Sequence, residues 1–226
     1  MLNFDNSNLS ERVYLYIRNK ILDNKLKPGS KINYEELCSE IGISRTPLRD
    51  ALNLLKQDGL VEVKPRSGTY VCLPQLKDIE EIFDVRKALE IQALKSALTI
   101  PKSTLSCYMK ATDYAGVELK TGNLQPFLET DRKLHQTIMQ NSNNNLLISI
   151  MDSLETKIKW LGALTAQSIE RPIQANNEHK KILTALYESN LEEAVLLMGI
   201  HIDGFKRFTI EDNKRLNNEI RRARNS

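Results

Sequence analysis

Only three histidines occur in the 226 residues, and His135, His179 and His201 each fall on an apolar stripe of a helical pattern. His135 follows Asp131 by four residues, so both project from one helix face, which also carries Phe127 and Ile138. His179 shares a face with Ile182, Leu183 and Leu186, and His201 with Ala194, Leu197 and Phe205. Taken singly, each imidazole reads as a satisfied core histidine. Taken together with the carboxylate they form a ligand set, because neutral imidazole and carboxylate suit Zn²⁺, Ni²⁺, Mn²⁺ or Fe²⁺. Without an ion, a buried Asp131 would need a cation or donors of its own. The residues therefore predict one divalent metal per chain held by Asp131, His135, His179 and His201, with zinc the leading choice.

A second group suits the major groove of DNA. A helix over 34–41, a tight turn at Gly42-Ile43-Ser44 and a helix over 45–57 have helix-turn-helix spacing, with a hairpin signal directly behind. The second helix opens on Ser44, Arg45, Thr46 and Arg49. Arg45 and Arg49 lie one turn apart, where each can fork onto guanine or grip phosphate, while the two hydroxyls suit phosphate oxygens. Arg66 and Gly68 at the hairpin tip suit close approach to a minor groove. Paired arginines also occur on solvated faces, and two helices about a glycine turn occur in many folds, so spacing alone leaves both readings open.

The elements that must hold these groups are legible in outline. Residues 1–8 read as a loose arm, and Ser10 as the N-cap of a helix over Glu11–Asn24 that Lys27-Pro28-Gly29 ends. Ser44 is the expected cap of the helix over 45–57, with Pro47 in its first turn. Leu60–Lys64 and Thr69–Leu73 are short β-rich runs. After Pro74 every segment reads as helix: 78–99, 102–120, 124–141, 145–165, 170–188 and 191–222. Asn190 with Glu193 three residues on resembles a capping box. The predicted fold is mainly α, a winged helix-turn-helix over 9–74 followed by an all-α six-helix bundle over 75–226.

Composition excludes several classes. Forty-one per cent hydrophobic and 27% charged residues describe an ordinary globular chain with a real core. No run approaches ~18 apolar residues, and the Asn-rich start has no apolar signal core, so no membrane and a cytoplasmic location are expected. Cys38, Cys72 and Cys107 are scattered and odd in number, against a disulfide framework or thiolate zinc site. The net charge of +3 says nothing of nucleic acid; that inference rests on local pattern alone.

The literal residues add a resemblance. The run Glu36-Leu37, Ile41-Gly42-Ile43-Ser44-Arg45-Thr46-Pro47-Leu48-Arg49-Asp50-Ala51-Leu52, with Gly59-Leu60-Val61 and Gly68-Thr69-Tyr70-Val71, resembles the winged helix of the GntR family of bacterial transcription regulators. It covers residues 10 to 73 and implies DNA contacts from Arg45, Thr46, Arg49 and Gly68. Glu35 departs from the fatty-acid-responsive members, which carry a base-reading arginine there, so their operator does not transfer. Asp131-x-x-x-His135, then Glu178-His179-x-x-Ile182-x-x-Ala185-Leu186, then Ala194 and His201 resemble the metal-binding FCD sensor domain of the FadR branch over about 78–202. Arg86-x-x-Leu89-Glu90 matches its first helix, and Asn144 matches a helix start. Six helices suggest the shorter, VanR-like variant, and acyl-CoA-binding members lack this metal set.

The expected protein is a homodimeric regulator on palindromic double-stranded operator DNA. Its metal would take a small carboxylate effector, with Arg86 the candidate to hold that acid by virtue of the resemblance. Two other readings stand beside it: the metal itself as signal, or a metal enzyme. Glu178 adjoins His179 but points about 100° away, which leaves an enzyme short of a general base, so no enzymatic activity is expected. Trp160, Lys157 and Lys159 could line the pocket but read equally as surface, and Arg221, Arg222 and Arg224 read as a solvated basic helix end.

Overall fold

A computed structural model describes residues 5–165 and 169–224. The first helix, α1, spans Asp5–Leu22, so it begins before the expected Ser10 cap and takes in part of the supposed loose arm; residues 1–4 lie outside the described residues. Ser10 instead sits inside the helix, its hydroxyl 3.5 Å from Asp50 Oδ2. The helix-turn-helix follows as α2 (Tyr34–Ile41) and α3 (Arg45–Gln57). Asn33 caps α2 by accepting from the backbone N–H groups of Glu35 and Glu36. Gly42 closes α2 in the left-handed region, φ 74°, with its N–H on Cys38 O. A residue with a Cβ resists that conformation, so the glycine sets the turn between the two helices. Ser44 holds the N-cap position of α3, yet its side chain makes no capping hydrogen bond, contrary to expectation.

The wing is an antiparallel pair, β1 (Val61–Lys64) and β2 (Gly68–Val71), with Val61 opposite Val71 and Lys64 opposite Gly68. Arg66 sits at the tip with φ 58°. Leu48, Ala51, Leu52 and Leu55 of α3 pack with Val13, Ile17 and Ile21 of α1 and Val61 and Val71 of the wing in one apolar core. One face of α3 is thereby committed to packing, and the other is left to solvent.

By contacts the chain divides into two compact units, one of residues up to Gln75 with Thr156–Ala163, the other of Leu76–Glu155 with the rest. The second unit is helical throughout its described residues. It holds α4 (Leu76–Leu94), α5 (Lys102–Lys120), α6 (Gln125–Asn141), α8 (Glu170–Tyr187), α9 (Leu191–Arg224) and most of α7 (Asn145–Thr165). The expected 78–99 helix is broken: α4 ends at Leu94 and a 3-10 turn, Ala97–Thr99, follows. Asn144 caps α7 through Leu147 N–H, and Asn190 caps α9 through Glu193 N–H, returning its amide to the Glu193 carboxylate. The α4 and α9 helices run antiparallel, joined by Lys87–Asp203 and Asp84–Lys206. Helices α6, α8 and α9 therefore bring three distant stretches of sequence against one interior, where Leu134, Ile138, Ile182, Leu183, Met198 and Ile202 are buried.

Candidate metal centre and DNA-reading face

The four residues singled out as ligands meet. Their ligand atoms all lie within 4.8 Å of one another. Nε2 of His179 stands 3.3 Å from Nε2 of His201 and 3.4 Å from Asp131 Oδ1, and His135 Nε2 lies 3.8 Å from the same oxygen. Neighbouring ligands on one ion at about 2.1 Å are roughly 3.0–3.5 Å apart, so the set is spaced for coordination with little adjustment. His135 Nε2 is buried and has no hydrogen-bond partner among the described residues. A buried polar atom without a partner is costly, and here it points among three other donors. The residues fit a divalent ion.

The other nitrogens of two of the imidazoles are held from outside. His135 Nδ1 is joined to Glu90 Oε2, and His201 Nδ1 to Glu178 Oε2 at 2.8 Å. A carboxylate on Nδ1 fixes the tautomer, so Nε2 presents its lone pair inward. Each carboxylate has a buried guanidinium behind it: Arg86 Nε donates to Glu90 Oε1 at 2.7 Å, and Arg171 Nη1 to Glu178 Oε2 at 2.9 Å. Arg171 also donates to the His201 carbonyl, tying the start of α8 to α9.

Electrostatics suit the same role. Burial pushes His179 down to about 4 and His201 well below the ordinary imidazole value, the neighbouring imidazoles and the Arg171 and Arg86 cations adding to it. Both rings are therefore neutral, ligand-ready bases near pH 7. Burial would raise Glu90, but His135 and Arg86 outweigh it and hold the carboxyl at about 2.

The sequence reading missed Glu90, Glu178 as a holder of His201, and Arg171. No local signal pairs Glu90 with a histidine 45 residues away. Glu178 does point away from the centre, as the helix geometry required, and serves a ring on the next helix. Arg86 is buried in α4 and donates Nε to Glu90 beside the centre.

In the first unit Ser44, Arg45, Thr46, Arg49 and Arg66 are exposed, and Gly68 is half-buried at the start of β2. Arg45 Nη2 donates to Glu35 Oε1 at 3.0 Å across the helix-turn-helix.

Comparison with known proteins gives these arrangements a family. The model described as "Bacterial regulatory proteins, gntR family" matches residues 9–71, and that of the FCD domain matches residues 81–204, more than half the chain. The chain is a GntR-family transcription regulator with an FCD domain. The regulator is 25% identical over 183 residues to the uncharacterized HTH-type transcriptional regulator YdhC of Bacillus subtilis, covering 80% of this chain and 82% of that one. Its fold is like that of a GntR regulator from Rhodococcus sp. RHA1, with a TM-score of 0.74 at 20% identity over 89% of this chain and 97% of the other. The FCD part is like the metal-free FCD domain of TM0439, with a TM-score of 0.53 at 21% identity over 62% of this chain and 96% of that domain. The GntR winged helix implies DNA binding, and no helix among the described residues is long and apolar enough to cross a membrane.

Proposed function

We propose that this regulator binds operator DNA through α3 and the wing, and that a small organic acid bound at a divalent ion in the FCD domain sets its affinity. The observation that carries the reading is the convergence of Asp131, His135, His179 and His201, with His135 Nε2 buried among them and without a hydrogen-bond partner among the described residues. Zinc is the leading ion; nickel, manganese and iron accept the same donors. Four protein donors fill a tetrahedral shell, so an ion that accepts five or six ligands would keep one or two positions for water or a carboxylate. The chain's own part is to hold the imidazoles neutral and to present a guanidinium, Arg86, that can fork onto the acid.

On the DNA side, Arg45 and Arg49 supply base or phosphate contacts, Ser44 and Thr46 phosphate contacts, and Arg66 with Gly68 the approach of the wing. A homodimer on a palindromic site follows from the need of one small head for a second half-site. Relatives named as transcriptional regulators support a regulator over an enzyme. The test begins with an operator selected from randomised duplexes. Citrate, lactate and other small acids are screened by calorimetry, and operator affinity is titrated with and without the best binder for wild type and Arg86→Ala. An acid that binds but leaves operator affinity unchanged refutes control by effector; a typical coupling would change it about 5–150-fold.

A further inference from the structure

Two charged residues, Arg86 and Glu90, stand one turn apart on α4 and are paired with each other. Glu90 is 1% exposed. One of its oxygens accepts from Arg86 Nε at 2.7 Å, and the other takes His135 Nδ1. Among the described residues Arg86 meets Glu90 through Nε alone. The guanidinium lies over the Phe205 ring, Cζ 5.7 Å from its centroid, and a guanidinium carries five donors, so its amino nitrogens can still fork onto an anion.

We infer that Glu90 is a positioning residue that couples Arg86 to the metal ligand His135, so that acid and metal strengthen each other's binding through one shared carboxylate. The inference rests on the reading of the metal centre and of Arg86 proposed above. The negative charge of Glu90 is divided between a cation and an imidazole N–H. An acid seated on Arg86 draws on the same positive charge. Glu90 then polarises the His135 N–H more strongly, and Nε2 becomes a better donor to the ion. Outer carboxylates of this kind are worth about 10–100-fold in metal affinity. The linkage is reciprocal, because a coupling free energy between two binding events is the same from either side.

Removing the cation mimics neutralising it, so the coupling is testable with Zn²⁺ alone. Zn²⁺ affinity is measured by chelator competition for wild type, Arg86→Gln, Glu90→Gln and the double variant, with thermal unfolding of each metal-free form as the structural control. Glu90→Gln should weaken Zn²⁺ binding about 10–100-fold. Arg86→Gln should tighten it with Glu90 present and leave it unchanged in the Glu90→Gln background. A damaged fold does not bind metal more tightly, so that gain cannot come from misfolding. Glu90→Asp, which keeps the charge and withdraws the carboxylate by one methylene, should lose the coupling as well. An equal effect of Arg86→Gln in both backgrounds means simple repulsion through space and overturns the inference alone. Wild type that takes no Zn²⁺ overturns the metal reading and this inference with it.

Discussion

His179 Nε2 and His201 Nε2 face each other at 3.3 Å, with His201 anchored by Glu178 on its far nitrogen and His179 Nδ1 buried without a partner among the described residues. In the metal-free chain one neutral ring can carry its proton on Nε2 and donate it to the other. With His179 protonated on Nδ1 instead, both Nε2 lone pairs face the same point, and a divalent ion there would take the place of the shared proton.

Removing His201 should therefore empty the site. We expect elemental analysis of His201→Ala to show little metal where wild type carries about one ion per chain, with a lower thermal midpoint because the ion binds only the folded state. Folded wild type that takes up no divalent metal under any loading condition contradicts the site.

Acid should unfold the metal-free protein earlier than its carboxylates alone would explain. An unfolded imidazole takes a proton below about pH 6.5, whereas folded His179 resists until about 4 and His201 is also held low. The unfolded state binds more protons in that window, so stability is complete above about pH 6.5 and falls as pH drops toward 4. The folded Glu90 titrates near 2, and its contribution is lost only below the ordinary carboxyl value. Thermal midpoints of chelator-treated protein from about pH 7.5 to 5, the range that brackets the free imidazole value, check this; a flat profile would refute it.

Arg171 is 3% exposed and bonded to both Glu178 and the His201 carbonyl. Arg171→Met should cost about 1–3 kcal/mol, because the partly buried Glu178 and the His201 carbonyl each lose a charged donor while Glu178 keeps His201 Nδ1 and Gln174. Urea unfolding of the metal-free protein measures it, and the double change with Glu178→Gln should recover much of the loss.

For DNA, Arg45→Ala or Arg49→Ala should cost ~1–3 kcal/mol with relaxed sequence preference if the arginine reads a base, or lower the salt slope by about one if it grips phosphate. Unchanged binding in both variants removes α3 as the recognition helix. Glu35→Ala frees Arg45 of an exposed ion pair worth at most about 1 kcal/mol. It should tighten binding modestly and steepen the salt dependence.

What the sequence made legible was whatever rests on local chemistry. The periodicity of Leu48, Leu52 and Leu55 located α3, and the i,i+4 spacing of Asp131 and His135 put two ligands on one face. Caps were read unevenly: Asn144 and Asn190 do cap their helices, whereas Ser44 makes no capping bond. Asn33, with Glu36 three residues later, was a signal passed over. The start of α1 at Asp5 escaped because an Asn- and Ser-rich run has weak helix preference. Leu94 ends α4 early although the apolar pattern continues into the 3-10 turn. The outer half of the metal site was out of reach, since Glu90 meets His135, and Glu178 meets His201, only after α4, α6, α8 and α9 have packed.

Of the four ligands only Asp131 is not buried, while His135, His179 and His201 come from three separate helices. An ion held there would be screened from solvent on the side of the three buried imidazoles and least so at Asp131. Movements of the helices around it are slow beside the diffusion of a small acid. An ion there would then behave as a component installed once, its exchange lagging behind any rise and fall in free metal. On the reading proposed above, such a domain would follow the concentration of acid and not that of free metal.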